Sequence, residues 1–296
     1  MTLQTLAPAV PYTSPRPALR PLADAYARLG EVYGYLTVRE LGPDEEDPAG
    51  DGWVSAAELA RGGPGLDAFL AWDDEQVLRD YGQRARPDVV ASFGLHRYVW
   101  PACLLFTAPW FLLRRVPRIP AGGVAFHRTE GRMTVRATSF ACLPDDPAAT
   151  APGARVVTDE EALRAEVRAA LAEHLGPVLD GFGPSTRRRG RALWGTVTDD
   201  VVESLWYVGG LLGEEERAKA ELDLLLPGTR ATAPYVGTPG FRELAGPAGE
   251  ALPTRDRATC CFFYTLRPED TCATCPRTCD ADRAAKLLAE RGDASA

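Results

Sequence analysis

The chain has 296 residues, with 33 Lys plus Arg against 41 Asp plus Glu and a formal net charge of −8. With 45% hydrophobic and 25% charged residues it has the make-up of an ordinary globular protein with material for a real core, and collagen-like, coiled-coil and disordered classes are excluded. A pI near 5.1 argues against a surface that binds nucleic acid throughout, because phosphate neutralisation needs a basic footprint.

Residues 1–17 are Pro-rich and aperiodic, and a flexible tail is expected there. The start lacks a basic n-region and an apolar h-region, so no signal peptide is read. Leu19, Leu22, Ala23, Tyr26, Leu29 and Tyr33 recur at helical spacing and predict a first helix. An acidic loop full of breakers follows at 42–52, and Ser55 with Glu58 has the spacing of a capping box. Leu66, Phe69, Leu70, Val77, Leu78 and Tyr81 predict further helix, and Pro87 suits the first turn of the next. Residues 88–113 read as buried helix with a break near one proline. The apolar stretch within it, Tyr98 to Leu113, is shorter than a bilayer requires and is interrupted by Pro101 and Pro109, so a core segment is expected and no membrane span.

After Pro120 the period changes. Val124 and Phe126, then Met133, Val135 and Ala137, alternate with polar residues around the turn Arg128–Arg132, which predicts a β-hairpin; Phe140 to Leu143 is read as an extension of its second strand. Residues 144–154 read as a loop. Thr158-Asp-Glu-Glu161 opens a helix expected to run to about His174, disturbed by Gly176 and Pro177 and ended by Gly181-Phe-Gly-Pro184. Two more helices are predicted over 186–211 and 214–226, followed by a Pro/Gly-rich connection to about Leu252. The fold class expected is α+β, mainly helical, with a small antiparallel sheet and a distinct C-terminal segment.

The seven cysteines are the informative feature. Cys103 and Cys142 lie in apolar sequence and read as small buried hydrophobes. Cys260, Cys261, Cys272, Cys275 and Cys279 crowd the C-terminal end. The first four form the pattern CC-x10-CxxC. In a chain expected to be cytoplasmic, where disulfides are disfavoured, such clustering points to metal. A CxxC turn places two sulfurs on one side of a loop, which suits either an Fe–S cluster or zinc. Adjacent cysteines in a strand would point to opposite faces, so they need a tight turn to share one centre. The pair counts against a zinc ribbon, which uses a CxxC knuckle on each side, and the C-x4-C-x2-C spacing of plant-type ferredoxins is also absent.

This segment resembles the C-terminal motif of the FhuF-like ferric siderophore reductase family. The resemblance is specific at the motif and looser over the helix-rich body. It implies that Cys260, Cys261, Cys272 and Cys275 hold a [2Fe–2S] cluster, with Cys279 outside the motif. It further implies a cytoplasmic reductase that passes one electron to siderophore-bound Fe(III), supplied by an external donor such as a ferredoxin or a flavin reductase. On this reading residues 18–255 form the body with the siderophore pocket, and 256–296 the [2Fe–2S] segment and a terminal helix. The alternative is a siderophore-binding or accessory protein whose cysteines hold zinc or a purely structural cluster.

Outside the cysteines the signals are weaker. Arg187, Arg188 and Arg191 belong to an Arg run that reads either as a contact for an anionic chelate or acidic donor, or as a solvated helix start. Trp194 and Trp206 read as core residues, and His96, His127 and His174 as structural ones. Gly181-Phe-Gly183 lacks the third glycine and the preceding strand of a dinucleotide fingerprint. Glu269, Asp270 and Asp280 are acidic neighbours expected to lower the potential of a cluster.

Overall fold

The fold is that of a computed structural model, which describes residues 20–269 and 271–293, the side chains of 291–293 excepted. The expected tail, residues 1–17, lies outside the described residues, as does Asp270. The protein is mainly helical α+β, built around one long helix.

The first helix, α1 (Ala23–Val32), turns Ala25, Tyr26 and Leu29 inward. Strands β1 (Thr37–Glu40) and β2 (Trp53–Ser55) follow, and α2 (Ala56–Arg61) starts at the expected capping box: the Glu58 amide donates to Ser55 Oγ at 3.2 Å and the Ser55 amide to Glu58 Oε2 at 2.8 Å. Next come α3 (Pro64–Tyr81) and α4 (Pro87–Leu113), each with proline in its first turn. Strands β3 (Arg115–Arg118), β4 (Val124–His127), β5 (Arg132–Val135), β6 (Ser139–Cys142) and β7 (Ala154–Val156) lead to α5 (Glu160–Thr186), α6 (Gly190–Leu211) and α7 (Glu215–Leu225). The hairpin β8 (Phe241–Ala245) and β9 (Ala251–Arg255) precedes the cysteine segment, and α8 (Asp280–Asp293) follows it.

Among the described residues three small sheets result, with strand orders β1-β5-β4-β2, β3-β6-β7 and β8-β9. The expected hairpin is present as β4–β5, with Phe126 opposite Met133. The sheets are nevertheless mixed, because β1 runs parallel to β5 and β7 parallel to β6. Residues 139–142 do not extend β5. Phe140, Ala141 and Cys142 are all buried, and the strand pairs with β3 in a second sheet. The connection over 227–252 contains β8 and the start of β9, closed by a turn in which the Gly249 amide donates to the Gly246 carbonyl at 3.0 Å.

Both long helices run through residues expected to stop them. α4 continues past Pro101 and Pro109. Proline at 109 leaves the Leu105 carbonyl without its usual amide donor, and the Tyr26 hydroxyl donates to that oxygen at 2.9 Å instead. α5 continues past Gly176, Pro177 and Gly181 to Thr186. A Cβ at Gly181 would stand 2.2 Å from the Leu59 carbonyl oxygen, so glycine there permits the close crossing of α5 over α2. Gly181 and Gly183 thus serve helix packing.

At 27 residues α4 is long and apolar enough to cross a membrane, more than the stretch from Tyr98 suggests. It is instead the central core helix, packed against α1, α3, α5 and α6, with Val99, Ala102, Cys103, Leu104, Leu105, Phe106 and Trp110 fully buried. Cys142 is fully buried too, and Trp194 and Trp206 pack partly buried against the core.

His174 of α5 shows how tightly this core is specified. Its Nδ1 lies 3.0 Å from the Ile119 carbonyl and its Nε2 2.8 Å from the Tyr98 hydroxyl. A carbonyl only accepts, so Nδ1 carries the proton and Nε2 accepts from Tyr98. Burial depresses the imidazole from the ordinary 6.5 to about 4. Between those values the unfolded chain binds a proton that the folded chain refuses, so stability falls as the pH drops through this window. The loss amounts to about 3 kcal/mol. Urea unfolding of the wild type and of His174→Gln from pH 7 to pH 4 should show the wild type losing stability relative to the variant. Parallel pH profiles would refute the assignment.

Candidate metal centre

The cysteine segment is anchored by one carboxylate. Asp199, fully buried on α6, accepts from Arg255 Nη2 at 2.7 Å, from the Ala258 amide at 2.9 Å, and from the Thr259 amide and hydroxyl at 2.8 Å each. These groups bracket the residues immediately before Cys260. Arg255 is itself fully buried, with Nη1 on Glu203 at 2.8 Å and Nε on the Pro239 carbonyl at 3.1 Å. Close approach is possible because α6 carries Gly195 where a Cβ would come within 2.5 Å of the Thr259 methyl.

Local turns then set the sulfurs. Phe262 adopts a left-handed conformation, φ 68°, and its amide points at Cys260 Sγ at 3.4 Å. This is the tight turn that adjacent cysteines require. In the CxxC turn the Cys275 amide donates to the Cys272 carbonyl at 3.0 Å. α8 locks this turn from behind: Arg283, nearly buried, donates to the Cys275 carbonyl at 3.2 Å and to Asp256 at 2.8 Å, and Lys286 donates to the Thr271 hydroxyl at 2.9 Å.

The four thiols form one electrostatic neighbourhood. Burial pushes the Cys261 thiol up; the Phe263 amide and Arg257 oppose this, while Cys260 and Cys275 add to it. Burial likewise pushes Cys272 up, with Thr274 and Arg257 opposing and Cys261 and Cys275 adding. Cys279 enters neither environment. It is exposed, directly precedes α8, and donates to Asp282 at 3.2 Å. Among the described residues no three Cys, His, Asp or Glu side chains converge as a single metal ion would need. A two-iron centre asks instead for two pairs.

Two arginines stand closest to the thiols. Arg257 lies largely buried, 3.8 Å from Asp199 and 3.7 Å from Glu203, and acts on both Cys261 and Cys272. Of the Arg run, only Arg188 reaches the segment: it donates to the Cys260 carbonyl and lies 4.2 Å over the Phe262 ring. Arg187 caps α5 and lines a cavity with Asp74, Arg84 and Pro184, and Arg191 is exposed on the first turn of α6. Of the acidic neighbours, Asp280 is paired with Arg242 at 2.6 Å and Glu269 is exposed.

Cys261 and Cys272 open onto a cleft of about 470 Å³ whose far wall is made by α3 and α4, with Asp73, Tyr81, His96 and Arg97 among its lining residues. His96 was expected to be structural. It is half exposed in a concave setting, with Nδ1 2.8 Å from Asp200, a fully buried carboxylate next to Asp199. Desolvation by the walls around it and the charge of Arg257 pull this imidazole down, but the charge and hydrogen bond of Asp200, helped by Glu203, outweigh them and leave the pKa raised. His127 does fit the structural reading, nearly buried against Trp53 at 5.1 Å between ring centroids.

Residues 257–277 match the family model described as the FhuF 2Fe-2S C-terminal domain. No curated protein matches the chain. The donor set fits the group that description names. Four thiols lie in two turns, Cys260 and Cys261 in one and Cys272 and Cys275 in the other. Arg188 and Arg257 stand where anionic thiolates would need cations.

Asp199 is a positioning residue for this centre. Asp199→Asn should remove one of the two carboxylates paired with buried Arg255, leaving Glu203, and unsettle the acceptors of the Ala258 and Thr259 amides; at a cost of about 1–3 kcal/mol it should lower both Tm and the iron and labile sulfide retained per chain. Unchanged iron content and melting would refute the anchoring role.

Proposed function

We propose that this chain, an iron–sulfur protein of the FhuF-like family by its C-terminal segment, is a ferric siderophore reductase. Cys260, Cys261, Cys272 and Cys275 would hold a [2Fe–2S] cluster, and that group, when bound, supplies one-electron redox chemistry. The observation that carries the reading is that these thiols lie in two supported turns with Arg188 and Arg257 beside them, within the segment that matches the FhuF 2Fe-2S family model.

The substrate is Fe(III) in a siderophore. It takes up one electron and becomes Fe(II), which hard oxygen donors hold less tightly, so cellular ligands can take the metal. The electron comes from an external one-electron donor of the ferredoxin or flavin-reductase kind, in the cytoplasm. The chain's own residues do the holding. Asp199, Arg255 and Arg188 fix the first cysteine pair, Arg283 and Lys286 fix the second, and Arg257 offsets thiolate charge between them. Cationic neighbours favour the electron-rich state, which raises a cluster potential relative to an acidic setting.

Anaerobically purified protein should contain iron and acid-labile sulfide at about two each per chain. Dithionite should bleach its visible bands, and a ferric siderophore should restore them while releasing Fe(II) to a ferrous chelator. Stoichiometric zinc without labile sulfide, or bleached protein that ferric siderophore leaves unchanged, would overturn the reading.

The ligand assignment has a separate test. Serine at any of the four cysteines should remove or destabilise the cluster, since soft sulfur is the preferred donor. Cys279→Ser should leave spectrum and iron content nearly intact. Because a neighbouring thiol can replace a lost ligand, the double change of Cys275 and Cys279 to Ser closes that route. Loss of the cluster in Cys279→Ser with retention in Cys275→Ser would overturn the assignment.

A further inference from the structure

A second cleft lies across α4 from the cysteines. It encloses about 420 Å³, and its walls include Tyr33, Tyr35, Trp100, Phe126, Arg97 and Arg128. His96 and Arg97 line both this cleft and the one bounded by Cys261 and Cys272, so these side chains form the partition between them.

Its chemistry is one-sided. The charged residues lining it are Arg97 and Arg128, with His96 beside them and no carboxylate in the lining. Both guanidinium groups are held against Trp72, at 4.7 and 5.8 Å from the ring centroid. Arg97 is paired with buried Asp73 at 2.6 Å, whereas Arg128 Nε has no hydrogen-bond partner. The other wall is aromatic. Tyr33 packs against Trp100 at 5.4 Å, Tyr207 at 5.7 Å and Tyr35 at 5.8 Å between centroids. Tyr35 is 82% exposed and Tyr207 51% exposed, unusual for large rings clustered at a single place. Tyr35 is placed by a close backbone approach: Gly131, φ 60°, lies where a Cβ would overlap the Tyr35 carbonyl oxygen.

Exposed rings facing fixed cations suit a ligand that is itself both aryl-bearing and anionic, since rings stack on rings and guanidinium groups take anionic oxygens. We infer that this cleft binds the iron chelate and selects anionic aryl chelates over neutral aliphatic ones. The inference rests on the reductase reading for its claim that the ligand is an iron chelate. A tris-catecholate chelate of a trivalent metal is trianionic, and a tris-hydroxamate chelate is neutral. The cleft therefore favours the first by charge and by stacking, and seats it one side-chain layer from the cysteine side.

Gallium(III) chelates test this apart from electron transfer, because gallium is not reduced. Calorimetry on the iron-loaded protein should show gallium(III) tris-catecholate binding at least tenfold tighter than gallium(III) tris-hydroxamate, with the advantage shrinking as salt rises. Arg97→Gln would strand Asp73 and endanger folding, so Arg128→Gln and Tyr33→Leu carry the test. Each should weaken the anionic chelate severalfold, Arg128→Gln should leave the neutral one unchanged, and the visible spectrum should stay intact. Equal affinity for the two chelates, or anion binding unmoved by both variants, would overturn the inference. Tight anion binding by a protein that reduces no ferric chelate would support the cleft and overturn the reductase reading instead.

Discussion

The carboxylate of Asp199 is the fixed point of the site. A buried ionised carboxylate is tolerable only when it is paired and fully hydrogen-bonded. Asp199 meets that condition by gathering Arg255, two peptide amides and a threonine hydroxyl around its two oxygens. All but the arginine belong to Ala258 and Thr259, so satisfying the charge and positioning the first cysteine pair are one event. The partner of Asp199 is equally constrained, since Arg255 is fully buried at the end of β9 and reaches Glu203 as well. A strand end, a helix and a metal-binding loop are thereby tied through a single ion-pair network, and the β8–β9 hairpin acts as the lever that delivers the chain to it.

α6 carries a second buried carboxylate one position on. Asp200 turns the other way, to His96 on α4. Two adjacent acids thus serve two different neighbours, one holding the cysteine loop and the other holding an imidazole at the wall between the two clefts. Guanidinium groups recur around the thiols: Arg188 sits on the Cys260 carbonyl, Arg257 acts on Cys261 and Cys272, and Arg242 pairs with Asp256 and Asp280. The acidic net charge of the chain gives no hint of these cations beside the thiols.

The sequence exposes the features that depend on neighbours in the chain. Helix starts at Ser55, Pro87 and Asp159, the β4–β5 turn and the cysteine spacing are local, and they can be read. What could not be read depends on distant partners. Pro109 does not break α4 because Tyr26, far off in sequence, caps the stranded Leu105 carbonyl. Gly181 looks like a stop signal but is a packing notch for α2. Asp199, Asp200 and His96 carry no motif; the return of the chain after β9 reveals the use of the first, and the crossing of α4 with α6 that of the other two. The nearest available signal was the pair of acids inside an apolar helix at 199–200, since such residues need partners. In the Arg run, four similar side chains part ways because α5 ends at Arg187 and only Arg188 faces back toward the loop.

The hold that α8 and Arg188 take on the cysteine loops acts through peptide oxygens. Arg283 grips the carbonyl of Cys275, Lys286 the carbonyl of Thr271, and Arg188 the carbonyl of Cys260. Such contacts register the path of the backbone and are indifferent to most side chains along it. A position such as Ala273 is therefore a place where the side chain can change while the frame persists, so the surface near the sulfurs can be rewritten as long as the supports on α6, α8 and the 187–189 turn are kept.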